Sequence, residues 1–266
     1  MTDTLRAASE RPLHEALLGW IDNRIGNVLF LGARFPDIAA DMLTRGISVM
    51  VVDPDTKRMG RFQEETRAVV GTNRRLGFDP RPYASIHFEA SSYNFALAWE
   101  GLPDGMDVSG FGKKIRRELK AGSNLYLRLP VRPVAPLGLA PRLAGGPAAR
   151  LLPAAERLER LAGDVFFSRG APDLEALRED LGRWLKVEEV VPAGPLLTRL
   201  GRLAPGLAEA PLPVSGVTRI LGSLDQRLRR ERWATEVLVR ASKTLDMGKV
   251  FLTGSRFDPR LTGAGD

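Results

Sequence analysis

The sequence of 266 residues is 44% hydrophobic and 27% charged, which is typical of one large soluble domain, or one domain with an appendage. It contains no cysteine, which excludes disulfides and cysteine-ligated metals, and only two histidines, so no metal site is expected. The formal net charge is +7, but no recognition motif accompanies it, and nucleic-acid binding is not expected. No secretory signal and no apolar run of about 20 residues is evident, which predicts a cytoplasmic protein without a transmembrane segment.

The N-terminal residues 1–25 are predicted to form a helical extension. Within residues 12–24, apolar side chains recur on one helical face, at Leu13, Ala16, Leu17, Trp20 and Ile21. Such a helix can cover the edge of a sheet or lie over a cleft. Packing against the core is the simpler interpretation.

A strand–helix–strand unit is predicted over residues 27–55. An unbroken apolar run at 28–31 is typical of a strand buried on both faces, and Gly32 ends it. A short helix follows over 36–45, and a second apolar run ends at Asp53. Because the crossover helix makes the strands parallel, Gly32 and Asp53 are expected at one edge of the sheet, where an acid can bind both hydroxyls of a ribose.

The following segment is predicted to contain a helix, a loop and two strands. Residues 56–70 show helical spacing, and residues 71–82 contain two glycines and two prolines, which is typical of a loop. The third and fourth strands are predicted over 83–90 and 93–99. The gap between these strands is too short for a crossover helix, so either one strand is misplaced or the sheet lacks a helix here.

The second half of the chain alternates regular segments with two proline-rich ones. The regular segments are predicted to be a basic helix over 111–120 with its charges on a solvated face, strands over 123–129, 186–191 and 234–241, and helices near 151–161, 174–184 and 217–224. The insertions at 130–170 and 192–213 are predicted to cover a small-molecule substrate or to contact a protein partner. Residues 244–266 are predicted to be a C-terminal tail.

These segments resemble the class I S-adenosylmethionine-dependent methyltransferases. The resemblance implies an α/β fold over 26–243, with a doubly wound, mostly parallel seven-stranded sheet, helices on both faces and an antiparallel last strand, known as the Rossmann-like methyltransferase fold. The matching segments are 28–32 as first strand and glycine loop, 49–53 as second strand with the ribose-binding acid, 114–129 as helix, glycine turn and strand, and 225–243 as last helix and seventh strand.

The resemblance also implies a binding site for S-adenosylmethionine, although three positions depart from the family pattern. Phe30 stands where the family usually has an acid, and Arg34 and Pro36 stand where it has glycines. Arg34 is expected either to reach the methionine carboxylate of the cofactor or to fill the pocket. The cofactor-binding residues that the resemblance implies are Gly32, Ala33, Arg34, Asp53, Glu89, Ala90 and Asn94.

No catalytic residue follows from the sequence. Methyl transfer from a sulfonium depends mainly on positioning, and a general base is needed only for some acceptor atoms. His87 and Tyr126 are candidates by residue type alone, and core packing is the simpler interpretation for both.

Three functions are compatible with these segments. The first is a methyltransferase acting on a small or lipid-like molecule, with S-adenosylmethionine as cofactor. The second is a catalytically inactive methyltransferase-like protein that serves as a binding or structural subunit of a complex, which the altered glycine loop favours. The third is a nucleotide-sugar or dinucleotide enzyme, but Arg34 and Pro36 break the glycine pattern that a pyrophosphate requires.

Overall fold

The fold was obtained as a computed structural model, which describes residues 5–21, 26–103, 105–132, 171–193 and 234–244. The predicted helices near 151–161 and 217–224 lie outside these ranges, as do most of both proline-rich insertions and most of the tail. No helix within the described ranges has the length and hydrophobicity that a membrane crossing requires.

One seven-stranded sheet forms the centre of the described part of the chain. Its strands are β1 (Asn27–Leu31), β2 (Ser48–Val52), β3 (Leu76–Asp79), β4 (Tyr93–Ala98), β5 (Leu119–Pro130), β6 (Lys186–Pro192) and β7 (Glu236–Ser242). Their spatial order is β3-β2-β1-β4-β5-β7-β6. The five strands from β3 to β5 pair in parallel, and β7 is antiparallel to both of its neighbours. The predicted mostly parallel sheet with an antiparallel last strand is therefore confirmed.

Helices cover both faces of this sheet. They are α1 (Leu5–Trp20), α2 (Pro36–Thr44), α3 (Thr56–Val70), α4 (Val108–Glu118) and α5 (Leu174–Gly182). One apolar cluster joins α1, α2 and α3 to one face, and a second joins α4 and α5 to the other. The inner strands contribute side chains to both clusters, which explains their continuous apolar runs.

The N-terminal helix packs on the sheet, as the simpler interpretation predicted. Leu13 and Leu17 are fully buried. The Tyr126 hydroxyl donates to the Trp20 carbonyl at 2.8 Å, which ties the end of α1 to β5. The helix begins at Leu5 and ends at Trp20, earlier at both ends than predicted.

The third strand is not where the sequence predicts it. β3 lies inside the predicted loop 71–82, and residues 83–90 contain only a 3₁₀ turn, Tyr83–Ser85. All four residues of β3 are only partly buried, because the strand lies at the edge of the sheet, so it lacks the apolar run of the inner strands. At Gly77 a Cβ atom would lie 2.8 Å from the terminal methyl carbon of Met50, so this glycine permits a close approach rather than marking a loop.

The connection from β3 to β4 contains no crossover helix, and basic side chains of α4 fasten it to the domain. The Lys114 ammonium group donates to the Ile86 carbonyl, and Arg117 donates to the Phe88 carbonyl at 3.3 Å. The prediction that the charges of this helix lie on a solvated face is therefore wrong for Lys114, which is 16% exposed, whereas Arg117 is exposed as predicted. Their hydrogen bonds hold a segment that lacks a helical face of its own.

Candidate functional site

A crevice lies between β1 and β4, where the strand order reverses. Ligands of such sheets bind at this point, beside the carboxyl ends of the strands. Gly32 follows β1 with a φ of +102°, in the region that favours glycine, and its N–H donates to the Val52 carbonyl at 2.9 Å. The Ala33 N–H donates to the Asp53 carboxylate at 2.7 Å. The predicted placement of Gly32 and Asp53 at one edge of the sheet is confirmed.

Hydrogen-bond donors surround the Asp53 carboxylate completely. It is 0% exposed and accepts from the N–H groups of Ala33 and Asp55, at 2.7 and 2.8 Å, and from Nε and Nη2 of Arg58, at 2.7 and 2.9 Å. Burial by itself raises the pKa of Asp53, but these hydrogen bonds outweigh it, so the pKa lies below the ordinary value. The carboxylate is therefore ionised at neutral pH.

Arg58 reaches Asp53 because of how α3 begins. The Asp55 side chain caps the helix by accepting from the N–H groups of Lys57 and Arg58. The cap places Arg58 in the first turn, directly after β2. Its guanidinium spans from Asp53 to Glu100, which follows β4.

Four side chains of alternating charge thus cross the crevice. Arg58 pairs with Asp53 and Glu100, and Arg34 Nε lies 3.0 Å from the other carboxylate oxygen of Glu100. The sequence analysis expected Arg34 either to reach the cofactor or to fill the pocket, and Arg34 lines the larger of the two cavities described below. Arg58, which the sequence analysis did not single out, lines both. The available sequence signal was the spacing of three residues. Asp53 is followed two residues later by the helix cap Asp55, and three residues after that by Arg58.

Two cavities meet this row of charges. The smaller, of about 140 Å³, is lined by residues that include Gly32, Asp53 and Tyr83. The larger, of about 330 Å³, lies toward α1 and α3 and is lined by residues that include Phe35 and Trp99. Arg58 is the one described residue that lines both cavities. The smaller cavity is below the ~300–1,000 Å³ that is usual for a small-molecule site.

Aromatic residues replace the second half of a glycine loop. Phe35 has a φ of +57°, a left-handed conformation that costs a residue with a Cβ roughly 1–2 kcal/mol. Its ring stacks on His14, with centroids 5.0 Å apart, and meets Trp99 edge-on at 4.8 Å. These contacts offset the strain and wall the larger cavity. Phe30, at the position of the family's acid, is buried in the core instead of facing the crevice.

A second acid at the carboxyl edge escaped the sequence analysis. Asp79 ends β3, and its backbone carbonyl accepts from the Asp53 N–H at 3.2 Å. Its side chain accepts two hydrogen bonds from the Arg81 guanidinium, at 3.0 and 2.7 Å. Asp79 was missed because the strand that it ends was taken for a loop.

Three of the predicted cofactor residues lie at the opposite edge of the sheet. Glu89 and Ala90 precede β4 and are exposed, so their expected position at the end of a third strand is wrong. Asn94 lies at the amino end of β4, where its carbonyl oxygen accepts from Asn27 N–H at 3.0 Å and from Lys120 at 3.1 Å. The structure therefore brings together Gly32, Ala33, Arg34 and Asp53, and separates them from Glu89, Ala90 and Asn94.

Neither candidate for a general base lines the two cavities. His87 is exposed on the β3–β4 connection, and Tyr126 is buried with its hydroxyl bound to α1. Among the described residues, no group of three or more histidine and acidic side chains is arranged to hold a metal ion.

Comparison with known proteins relates the chain to others by structure alone. No protein-family model matches the sequence, and no curated protein matches it in sequence. A Listeria monocytogenes protein assigned to the S-adenosylmethionine-dependent methyltransferases is similar in structure, with 14% identity over 91% of this chain and 99% of the other, and a TM-score of 0.58. An S-adenosylmethionine-dependent methyltransferase from Mesorhizobium loti shows 17% identity over 90% and 99%, with a TM-score of 0.53.

A third similar structure has its ligands in place. It is the geranyl diphosphate C-methyltransferase from Streptomyces coelicolor A3(2) with Mg²⁺, geranyl diphosphate and S-adenosyl-L-homocysteine, at 12% identity over 88% of this chain and 81% of the other, with a TM-score of 0.55. At these identities the similarity establishes the fold alone. The chain has the Rossmann-like fold of the class I methyltransferases.

Proposed function

We propose that this protein is an S-adenosylmethionine-dependent methyltransferase that acts on a small or lipid-like molecule. The observation that carries the proposal is the contact of the turn after β1 with the acid after β2, at 2.7 Å between Ala33 N and Asp53. An acid in that place binds the hydroxyls of a ribose. Similar structures contain S-adenosylmethionine or S-adenosylhomocysteine and include methyltransferases of geranyl diphosphate and phosphoethanolamine.

The residues at the crevice fit an adenosine after one rearrangement. Asp53 has the required chemistry, but four donors fill its acceptor positions, so Arg58 must leave before ribose hydroxyls can bind. The cofactor supplies a methyl group already activated on a sulfonium, and the chain has to bind, orient and exclude water. Gly32, Ala33, Arg34 and Asp53 are the proposed cofactor contacts. Glu89, Ala90 and Asn94 remain predictions that their position does not support.

Isothermal titration with S-adenosylmethionine and S-adenosylhomocysteine tests the proposal. Both ligands are expected to bind the wild-type chain, and Asp53→Asn is expected to lose binding because the amide is uncharged and has one acceptor oxygen in place of two. The matched control is Glu64→Gln, which changes an exposed acid on α3 that lines neither cavity, and it is expected to retain wild-type affinity. No detectable binding at millimolar ligand would overturn the proposal.

A second candidate function is a catalytically inactive, methyltransferase-like subunit of a complex. It is favoured by the saturated Asp53 carboxylate and by the side chains that replace glycines after Gly32. Purification from the source cells distinguishes the two functions. A stoichiometric complex whose methyltransferase-like chain binds no cofactor supports the second, and a single chain that binds the cofactor opposes it.

A further inference from the structure

We propose that Arg58 controls the affinity of the crevice by occupying the position on Asp53 that a ribose requires. We call the guanidinium of Arg58, with its two partners Asp53 and Glu100, the Arg58 latch. The inference rests on the proposed function, because it concerns the same crevice. It adds that this chain binds its nucleoside ligand in competition with one of its own side chains.

The first argument for the latch is saturation. An ionised carboxylate has about four acceptor positions, and Asp53 already accepts four hydrogen bonds, two of them from Arg58. The two backbone donors belong to the turns that build the site and cannot leave. The two bonds from Arg58 are the pair that ribose hydroxyls can replace.

The second argument is that Arg58 can leave without opening the core. Its side chain is 34% exposed, and its second partner, Glu100, is also partly exposed. Rotation toward solvent therefore breaks ion pairs and hydrogen bonds but removes no member of either apolar cluster, since Arg58 belongs to neither. Asp53 then keeps its two backbone donors, and ribose hydroxyls restore the two bonds that were lost.

The third argument is space. Arg58 lines both the cavity of about 140 Å³ and the cavity of about 330 Å³. Its withdrawal removes a wall that they share. The larger cavity already lies within the ~300–1,000 Å³ of a small-molecule site, whereas the smaller one, which borders Asp53, belongs to a space of that size only when the two are joined.

Competition of this kind lowers the apparent affinity by the fraction of molecules in which the latch is open. A bidentate pair between arginine and a buried carboxylate is among the stronger side-chain interactions, so the open fraction is small. We expect removal of the guanidinium to tighten nucleoside binding by about tenfold or more.

The test measures the Kd of S-adenosylhomocysteine by titration calorimetry for four chains: wild type, Arg58→Ala, Glu100→Gln and Arg67→Ala. The first two variants are expected to bind at least about tenfold and a few-fold more tightly than wild type, since they remove the latch or its second partner. Arg67→Ala removes an exposed arginine that lies further along the same helix and lines neither cavity, and its Kd stays unchanged. Circular dichroism checks that each chain is folded. If Arg58→Ala does not fold, the Kd of Glu100→Gln tests the latch by itself.

Salt provides an independent readout. The exposed part of the latch weakens as ionic strength rises, so wild-type affinity for this zwitterionic ligand is expected to increase with salt, whereas that of Arg58→Ala does not. Equal Kd values for wild type and both latch variants, or weaker binding by the variants, would overturn the latch and leave the proposed function intact. Absence of binding by every chain would overturn both.

Discussion

Two buried carboxylates at opposite ends of the sheet differ in how accessible their partners are to solvent. Asp53, at the carboxyl ends of the strands, is 0% exposed and pairs with Arg58, whose side chain borders two cavities. Glu118, where α4 meets β5, is 2% exposed and pairs with Lys114 at 3.0 Å and with the Tyr83 hydroxyl at 2.5 Å. Tyr83 is itself buried, and Lys114 is mostly buried.

The difference shows how a buried charge can serve either binding or stability. Both carboxylates need partners, because an unpaired charge in the interior is very unfavourable. A partner that borders a cavity and is also open to solvent can exchange with a ligand, as we propose for Arg58, whose side chain is 34% exposed. Tyr83 lines the smaller cavity as well, but it is only 2% exposed, so it stays on Glu118 and the pair holds two segments together. Glu118 accordingly fastens the helix-free β3–β4 connection to α4.

The largest effect is expected from Glu118→Ala. The change leaves the Lys114 ammonium group and the Tyr83 hydroxyl without their buried acceptor, and loss of one partner of a buried pair costs about 3–5 kcal/mol. Urea denaturation monitored by circular dichroism measures the loss in the free energy of unfolding. Glu118→Gln keeps an acceptor and is expected to lose less. A loss below about 1 kcal/mol for the alanine variant would contradict the structural role.

Asp53→Asn is expected to be less destabilising and dependent on pH. It removes charge-assisted hydrogen bonds worth about 2 kcal/mol at neutral pH. The pKa of Asp53 is lowered in the folded state. The stability that the ionised carboxylate confers is therefore complete above the ordinary pKa of about 3.8 and is lost as the pH falls through the pKa of the folded chain. The difference in unfolding free energy between wild type and variant should therefore shrink below about pH 4. A difference that is constant between neutral and acidic pH would refute this assignment.

A smaller effect, of about 1 kcal/mol, is expected from Tyr83→Phe, which removes the hydrogen bond to Glu118. Burial, together with the Glu118 charge, raises the pKa of Tyr83 and of Tyr93 above the ordinary value. The unfolded chain therefore ionises first, and the stability that these phenols confer is complete below about pH 10 and lost as the pH rises above it. Phenolate absorbance should show Tyr83 and Tyr93 still protonated at about pH 11 in the folded chain.

The smallest effect is expected from Glu89→Ala. This exposed side chain lies at the amino edge, far from the crevice, so stability should change by less than about 0.5 kcal/mol and the Kd of S-adenosylhomocysteine should stay the same. Titration calorimetry and urea denaturation measure the two quantities. A higher Kd would instead support the contact with adenine that the sequence resemblance implied for Glu89.

The sequence alone determined the parts of the fold that follow from local pattern. Continuous apolar runs identified the inner strands, because strands buried on both faces have no solvated side to carry polar residues. The short helix between β1 and β2 made those strands parallel, which was enough to place Gly32 and Asp53 at one edge. The edge strand β3 lacks such a run and was missed, and Asp79 was missed with it.

Only the tertiary structure decided what surrounds Asp53. Arg58 is five residues away in sequence, but its direction depends on Glu100, which follows β4, and Glu100 in turn binds Arg34 from the turn after β1. In the same way, the strand predicted over 93–99 already put Asn94 near its amino end, but only the structure showed that its side chain binds Asn27 and Lys120 there. Hydrophobic periodicity records which side chains are buried but not which distant charge each one meets, because electrostatic partners are chosen by the assembled fold.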